Sequence, residues 1–184
     1  MQPFYQGKID TFCAIYAVLN ALQILHGITP GQARELFNEV LVRESRSEAR
    51  FRDVLTHRTD YVEMVDRMLE AVRPRFPLTI GTPFAPGTPH AEVWDALVDH
   101  AAPDRRRTSV FRFLRYVPLR ATPVVDHWTT ARDVDDSGLH LFDCSLEPGG
   151  VYCLRGGELA DQAALRPREY FVIPPECVRL LTVP

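Results

Sequence analysis

The chain is almost without lysine. Lys8 stands alone against 20 arginines, and that bias, with plentiful Ala, Asp and Pro, points to a GC-rich bacterial genome. Neither sign of charge is in excess: the net charge is −3 and the pI about 6.1. No strong global field therefore draws the molecule to nucleic acid or to an acidic membrane, and neither is expected as a partner. The run Arg105-Arg106-Arg107 is read as a solvated loop, because nothing aromatic or glycine-rich accompanies it. Long apolar runs are missing too, so no stretch approaches the roughly 18 residues of a membrane span. The segment Met1 to Gln6 lacks the basic and apolar regions of a signal peptide. The expectation is a cytoplasmic protein, or one exported by a route without a cleaved signal. Cysteines are few: Cys13, Cys144, Cys153 and Cys177. Their spacing is far from any CxxC zinc pattern, and a chain of this size does not need disulfide staples. Free thiols are expected, with Cys144 and Cys153, which flank a turn, as the pair placed to join in an oxidising compartment.

What is present is the profile of a globular protein, 46% hydrophobic and 24% charged. Residues 1–184 fit one domain with a real core. The first half reads helical. Asp10 or Thr11 can cap a helix with apolar positions Phe12, Ile15, Tyr16, Leu19, Leu22 and Leu25, which Gly27 stops. Thr29-Pro30 opens a second helix with Ala33, Leu36, Phe37 and Val40 on one stripe. A third helical stretch covers residues 47–72, broken near Thr56 to Thr59. The second half turns to strands: 77–80, then a helix over 90–101, then strands over 108–117, 124–134, 139–144, 151–154, 170–173 and 178–183. Asp135-Asp136-Ser137-Gly138 is a hairpin signal, with glycine placed to take a positive φ. Helices followed by antiparallel strands make the fold class α+β.

Cys13 falls in the first turn of the first helix. Unpaired backbone N–H groups and the positive end of the macrodipole favour a thiolate there, which is the attacking species of a cysteine hydrolase. Gln6 lies seven residues upstream, where its amide can donate to an oxyanion beside the Cys13 N–H. Asn20, two turns along the helix, is read as structural, tying a loop to the helix. Of the six histidines, His26, His57, His90 and His100 read as helix-end or surface residues. His127 and His140 lie on the two strands of the hairpin. Asp143 follows His127 by sixteen residues, and an even pairing register puts both on one face, within reach of each other. An odd register or a bulge would separate them. The carboxylate then holds the imidazole Nδ1–H and leaves Nε2 for the thiolate. His140 and Asp143 differ by an odd number and face opposite ways. Trp128 either shields the His127–Asp143 pair from water or packs in the core, and Trp94 is read as core.

Gln6, the run Asp10 to Ala21 around Cys13, His127-Trp128-Thr129 and Leu141-Phe142-Asp143-Cys144-Ser145 together resemble the papain-like peptidase superfamily. They look closest to compact bacterial members such as the peptidase domains that process bacteriocin leaders. The likeness covers about a quarter of the chain. It implies helices packed on a C-terminal antiparallel sheet, and a site read in the order glutamine, cysteine, histidine, aspartate. Phe12 and Ala14 flank the nucleophile where the family usually has glycine or tryptophan.

These residues predict acyl transfer through a thioester: Cys13 as nucleophile, His127 as general acid and base, Asp143 as its orienting partner, and Gln6 in the oxyanion hole. No metal or organic cofactor is required. The favoured activity is cleavage of a peptide or amide bond, including peptidoglycan peptides and isopeptide links, with a peptide or protein as substrate. The same residues would serve a glutamine deamidase, a transglutaminase-like enzyme or an acyltransferase, chemistry the resemblance associates with bacterial effector toxins. A noncatalytic binding module on the same scaffold is the third alternative. Gln6 lies so near the first residue that no inhibitory propeptide is expected before it, which leaves a narrow substrate range or an inhibitory or immunity protein as the restraint.

Overall fold

The computed structural model describes residues 1–6, 12–56, 58–101, 106–145 and 150–184. The cap expected from Asp10 or Thr11, the surface position of His57 and the side chain of Arg105 fall outside them.

Four helices come first. In α1 (Cys13–His26), Phe12 is the N-cap, so Cys13 is the first helical residue. Gly27 ends the helix in the left-handed region, φ 63°, with its N–H on the carbonyl of Gln23. A single apolar stripe was expected here, but Ala14, Ala17, Val18 and Ala21 are buried as fully as Ile15, Leu19 and Leu22. A helix apolar on nearly every side belongs inside the molecule, and α1 is the central helix. In α2 (Pro30–Ser45) a capping box starts the first turn: Thr29 Oγ1 accepts from the Gln32 N–H, and Gln32 Oε1 accepts from the Thr29 N–H. The third helical stretch is broken as its sequence suggests, into α3 (Glu48–Leu55) and α4 (Tyr61–Val72). Asp60 opens α4 by accepting from the N–H groups of Val62 and Glu63.

The remaining chain forms an open antiparallel sheet with one more helix, α5 (His90–His100). The strands are β1 (Thr79–Gly81), β2 (Arg107–Tyr116), β3 (Val125–Asp135), β4 (Gly138–Leu141), β5 (Cys153–Leu154), β6 (Tyr170–Val172) and β7 (Arg179–Thr182). Their order is β1-β7-β2-β3-β4-β5, with β6 added along the far half of β2. Alternation along β2 divides the core. Val110 faces α1 to α4 together with Trp128 and Leu181. Phe111 and Phe113 face the other way, against Val93 and Leu97 of α5 and Leu139 and Leu154. The class is therefore α+β. Among the described residues no helix is long and apolar enough to cross a membrane.

Polar bonds fix α1 on the sheet. Thr130 of β3 donates through Oγ1 to the Ala17 carbonyl at 2.6 Å. Asn20, fully buried, takes three partners at once. Its Oδ1 accepts from the Phe4 N–H at 2.7 Å, and its Nδ2 donates to the carbonyls of Phe4 and Phe142 at 3.4 and 3.3 Å. The N-terminal segment, the central helix and the chain leaving β4 meet at this one amide, which bears out its structural reading. On the other side of the helical layer, Arg179 of β7 is buried and grips Asp66 of α4 with two hydrogen bonds.

Asn20→Ala removes three hydrogen bonds and strands the buried Phe142 carbonyl. The expected loss is about 3 kcal/mol of unfolding free energy, measured by urea denaturation, with Asn20→Asp also destabilised because a carboxylate cannot donate to the two carbonyls.

Candidate active site

His127 and Asp143 meet through an accident of counting. The two-residue loop Asp136-Ser137 pairs Asp135 with Gly138, Val134 with Leu139 and Asp133 with His140, an odd register that would send His127 and Asp143 to opposite faces. Between Ala131 and Asp133 the register shifts, leaving Arg132 as an extra residue, so that Ala131 pairs with Leu141. The bulge makes the register even. The Phe142 N–H on the Thr130 carbonyl at 2.8 Å continues it, and His127 and Asp143 become diagonal neighbours on one face. An odd register and a bulge, each of which alone would part the two residues, here cancel.

The imidazole is approached from three sides. Its Nε2 lies 3.0 Å from Asp143 Oδ2. The other carboxylate oxygen accepts from the Ser145 N–H at 2.7 Å, so Asp143, 2% exposed, has a partner on each oxygen. The Cys13 thiol lines the same cavity as the ring and is among the groups that raise its pKa, and Phe113 packs against the ring in a T-shaped contact, centroids 5.7 Å apart. One detail reverses the expectation from sequence. Asp143 holds Nε2, not Nδ1.

Electrostatics follow from this packing. Burial alone would lower the His127 pKa, but hydrogen bonds with Asp143, Cys13 and Cys144 and the Asp143 charge outweigh it and push the group up to about 12. Burial pushes the Cys144 thiol up to about 11, and the Cys177 thiol likewise to about 11. All four cysteines are free thiols. Cys144 and Cys153 are not joined; the Cys153 thiol donates to the Ser137 carbonyl at 3.5 Å, in the turn.

Gln6 arrives beside this cluster with its N–H on the Cys144 carbonyl at 2.9 Å. A cavity of about 500 Å³ opens over Cys13, Gln6, His127 and Trp128. The helix start Thr59 to Val62 forms one wall, and Arg112 with Asp126 the other. Those two are joined by a bidentate ion pair, Nε to Oδ1 at 2.6 Å and Nη2 to Oδ2 at 2.5 Å. Trp128 is buried in the helical core, as its core reading expects, and it also lines this cavity.

The structure thus brings Cys13, His127, Asp143 and Gln6 together. It sets His140 apart, bonded to Ser137 and Asp135 at the tip of the hairpin. His90 begins α5 and is held by Asp161, whose carboxylate accepts its N–H at 2.7 Å; His100 reaches the Leu181 carbonyl at 3.1 Å. Sequence reasoning missed Cys144 as a neighbour of the imidazole, 3.8 Å from Nε2, and missed the Arg112–Asp126 wall. The even spacing of Arg112, whose strand partner is Trp128, was the available signal for the second. Ligand atoms of His127, Asp143 and Cys144 lie within 4.8 Å of one another, close enough to share a cation. A cation there would have to displace the proton joining His127 to Asp143.

No protein-family model matches the chain, and neither a curated protein nor a solved structure does.

Ring nitrogen chemical shifts at pH 8 should show His127 as an imidazolium, and Asp143→Asn should move its titration back towards the ordinary value of 6.5. The folded-state value lies above the unfolded one, so this stabilisation is complete below pH 6.5 and is lost as pH rises from there towards about 12. Urea midpoints followed upward from pH 6.5 should therefore fall more steeply in the parent than in Asp143→Asn.

Proposed function

We propose that the chain is a cysteine-dependent hydrolase of papain-like architecture that cleaves a peptide or amide bond. The observation that carries this reading is the thiol at the head of α1 sharing an open cavity with an imidazole whose Nε2 is held by a buried carboxylate. A structural cysteine does not need a base, an orienting carboxylate and access to solvent together.

In this mechanism the Cys13 proton resides on His127, and the sulfur attacks the substrate carbonyl carbon. The carbonyl electrons move to oxygen, and the oxyanion is met by the Cys13 N–H and the Gln6 amide. As the tetrahedral intermediate collapses, the C–N bond breaks and His127 gives its proton to the leaving amine. Water, deprotonated by His127, then attacks the thioester, and the acid leaves as the thiol is regenerated. Asp143 keeps the ring in one orientation and compensates its charge throughout. The cavity, about 500 Å³ and lined by both polar and apolar side chains, has room for several residues of a peptide substrate.

Iodoacetamide at limiting concentration should modify Cys13 well ahead of Cys144, Cys153 and Cys177, read by peptide mass mapping. Incubation with a mixed peptide library should release new N-termini, and Cys13→Ala should abolish that release by about four orders of magnitude. Retention of cleavage by Cys13→Ala would falsify the assignment. Ammonia released without new termini would redirect it to deamidation on the same residues.

A further inference from the structure

Cys144 has no part in the mechanism above, yet it touches two of its members. Its carbonyl accepts the Gln6 N–H at 2.9 Å, its Sγ lies 3.6 Å from Gln6 Oε1, and the same sulfur is 3.8 Å from His127 Nε2. It is 1% exposed. Resting on the hydrolase reading, we infer that Cys144 is a positioning residue for the oxyanion hole: its S–H holds Oε1 of Gln6 and so turns the amide NH2 towards the carbonyl that Cys13 attacks.

The reasoning is one of donors and acceptors. A glutamine amide carries an acceptor on one side and a donor on the other, and a half-turn about its last bond exchanges them. In an oxyanion hole the two orientations are opposites. The NH2 stabilises the developing charge, and the carbonyl oxygen repels it. Something must choose. Burial keeps Cys144 a thiol at neutral pH, so it has a proton to give. His127 Nε2 directs its own proton to Asp143 and has no lone pair to receive one. Among the described residues the thiol has an acceptor in Gln6 Oε1 at 3.6 Å, and a thiol there accepts only weakly from an NH2 group. The backbone bond fixes where Gln6 stands; the thiol fixes which end of its amide faces the cavity that Gln6 and Cys13 share. A hydroxyl could do the same, an alkyl group could not.

Two small probes separate this role from a merely structural one. Acylation of Cys13 by p-nitrophenyl acetate passes through an oxyanion, whereas alkylation by iodoacetamide does not. Cys144→Ala should slow acylation by about tenfold and change alkylation by less than about twofold. Cys144→Ser, which keeps a donor, should restore acylation to near the parent rate. In a Gln6→Ala background, Cys144→Ala should have no further effect. Should the alanine variant not fold, Cys144→Val retains the volume without the donor and is subject to the same expectations. Equal rates for the serine and alanine variants, slowing of both probes together, or additive effects of Gln6 and Cys144 would overturn the inference while leaving the hydrolase reading intact. A Cys13 no more reactive than Cys153 towards either probe would overturn both.

Discussion

A β-hairpin can present residues from its two strands to each other only if they share a face, and sharing a face is a matter of parity. The tight turn at Asp136-Ser137 imposes the wrong parity on His127 and Asp143, and Arg132 restores it. The site depends on that one extra residue. It costs little, because Arg132 is exposed and its guanidinium lies over the Phe142 ring and against Asp133. The turn in its turn is fixed by Gly138, whose φ of 137° and 2.2 Å approach to the Leu154 carbonyl, measured from where a Cβ would stand, leave no room for another residue. A steric demand at one end of the hairpin is thus answered by a bulge in the middle, and the result is read out as a hydrogen bond at the other end.

Holding a carboxylate and an imidazolium away from water is expensive unless each finds partners. Asp143 has His127 on one oxygen and the Ser145 N–H on the other. His127 has the carboxylate, the Cys144 sulfur at 3.8 Å and the ring of Phe113. The surroundings are equally tied: Asn20 fastens Phe4, α1 and Phe142, which carry Gln6, Cys13 and Asp143 a residue or more away. Each member of the cluster sits close to a point where its backbone is bonded to that of another member. Such cross-bracing is how a constellation drawn from distant parts of a chain keeps fixed distances.

Much of this was legible in the sequence. Periodicity, Gly27, Thr29-Pro30 and the Asp-Ser-Gly turn located every helix and strand to within a few residues, because these signals act locally. The pairing of Cys13, His127, Asp143 and Gln6 was reached from residue type and spacing. What failed was whatever depends on how elements lie against each other. The wrong imidazole nitrogen was assigned to Asp143, since ring orientation is set by the direction from which α1 and the hairpin arrive. α1 was taken as amphipathic because its alanines carry little hydrophobic signal, although they are what lets other elements approach so closely. Cys144 was weighed as a disulfide partner; its place beside Gln6 and His127 depends on the N-terminal segment folding back across the end of β4. The Arg112–Asp126 pair beside the cavity depends on strand pairing that spacing alone does not give.

The distance along the chain between α1 and the β3–β4 hairpin has a consequence for how the molecule is made. A ribosome emits the sulfur early and the ring and carboxylate only after four further helices and two strands have followed. During that interval the thiol stands without the imidazole and carboxylate that the folded chain gathers near it. Closure requires the latest-made strands to find the earliest-made helix, a long-range search of the kind that slows folding. On the hydrolase proposal, a chain whose hairpin has not yet docked lacks the base, so reactivity would arrive only with tertiary structure.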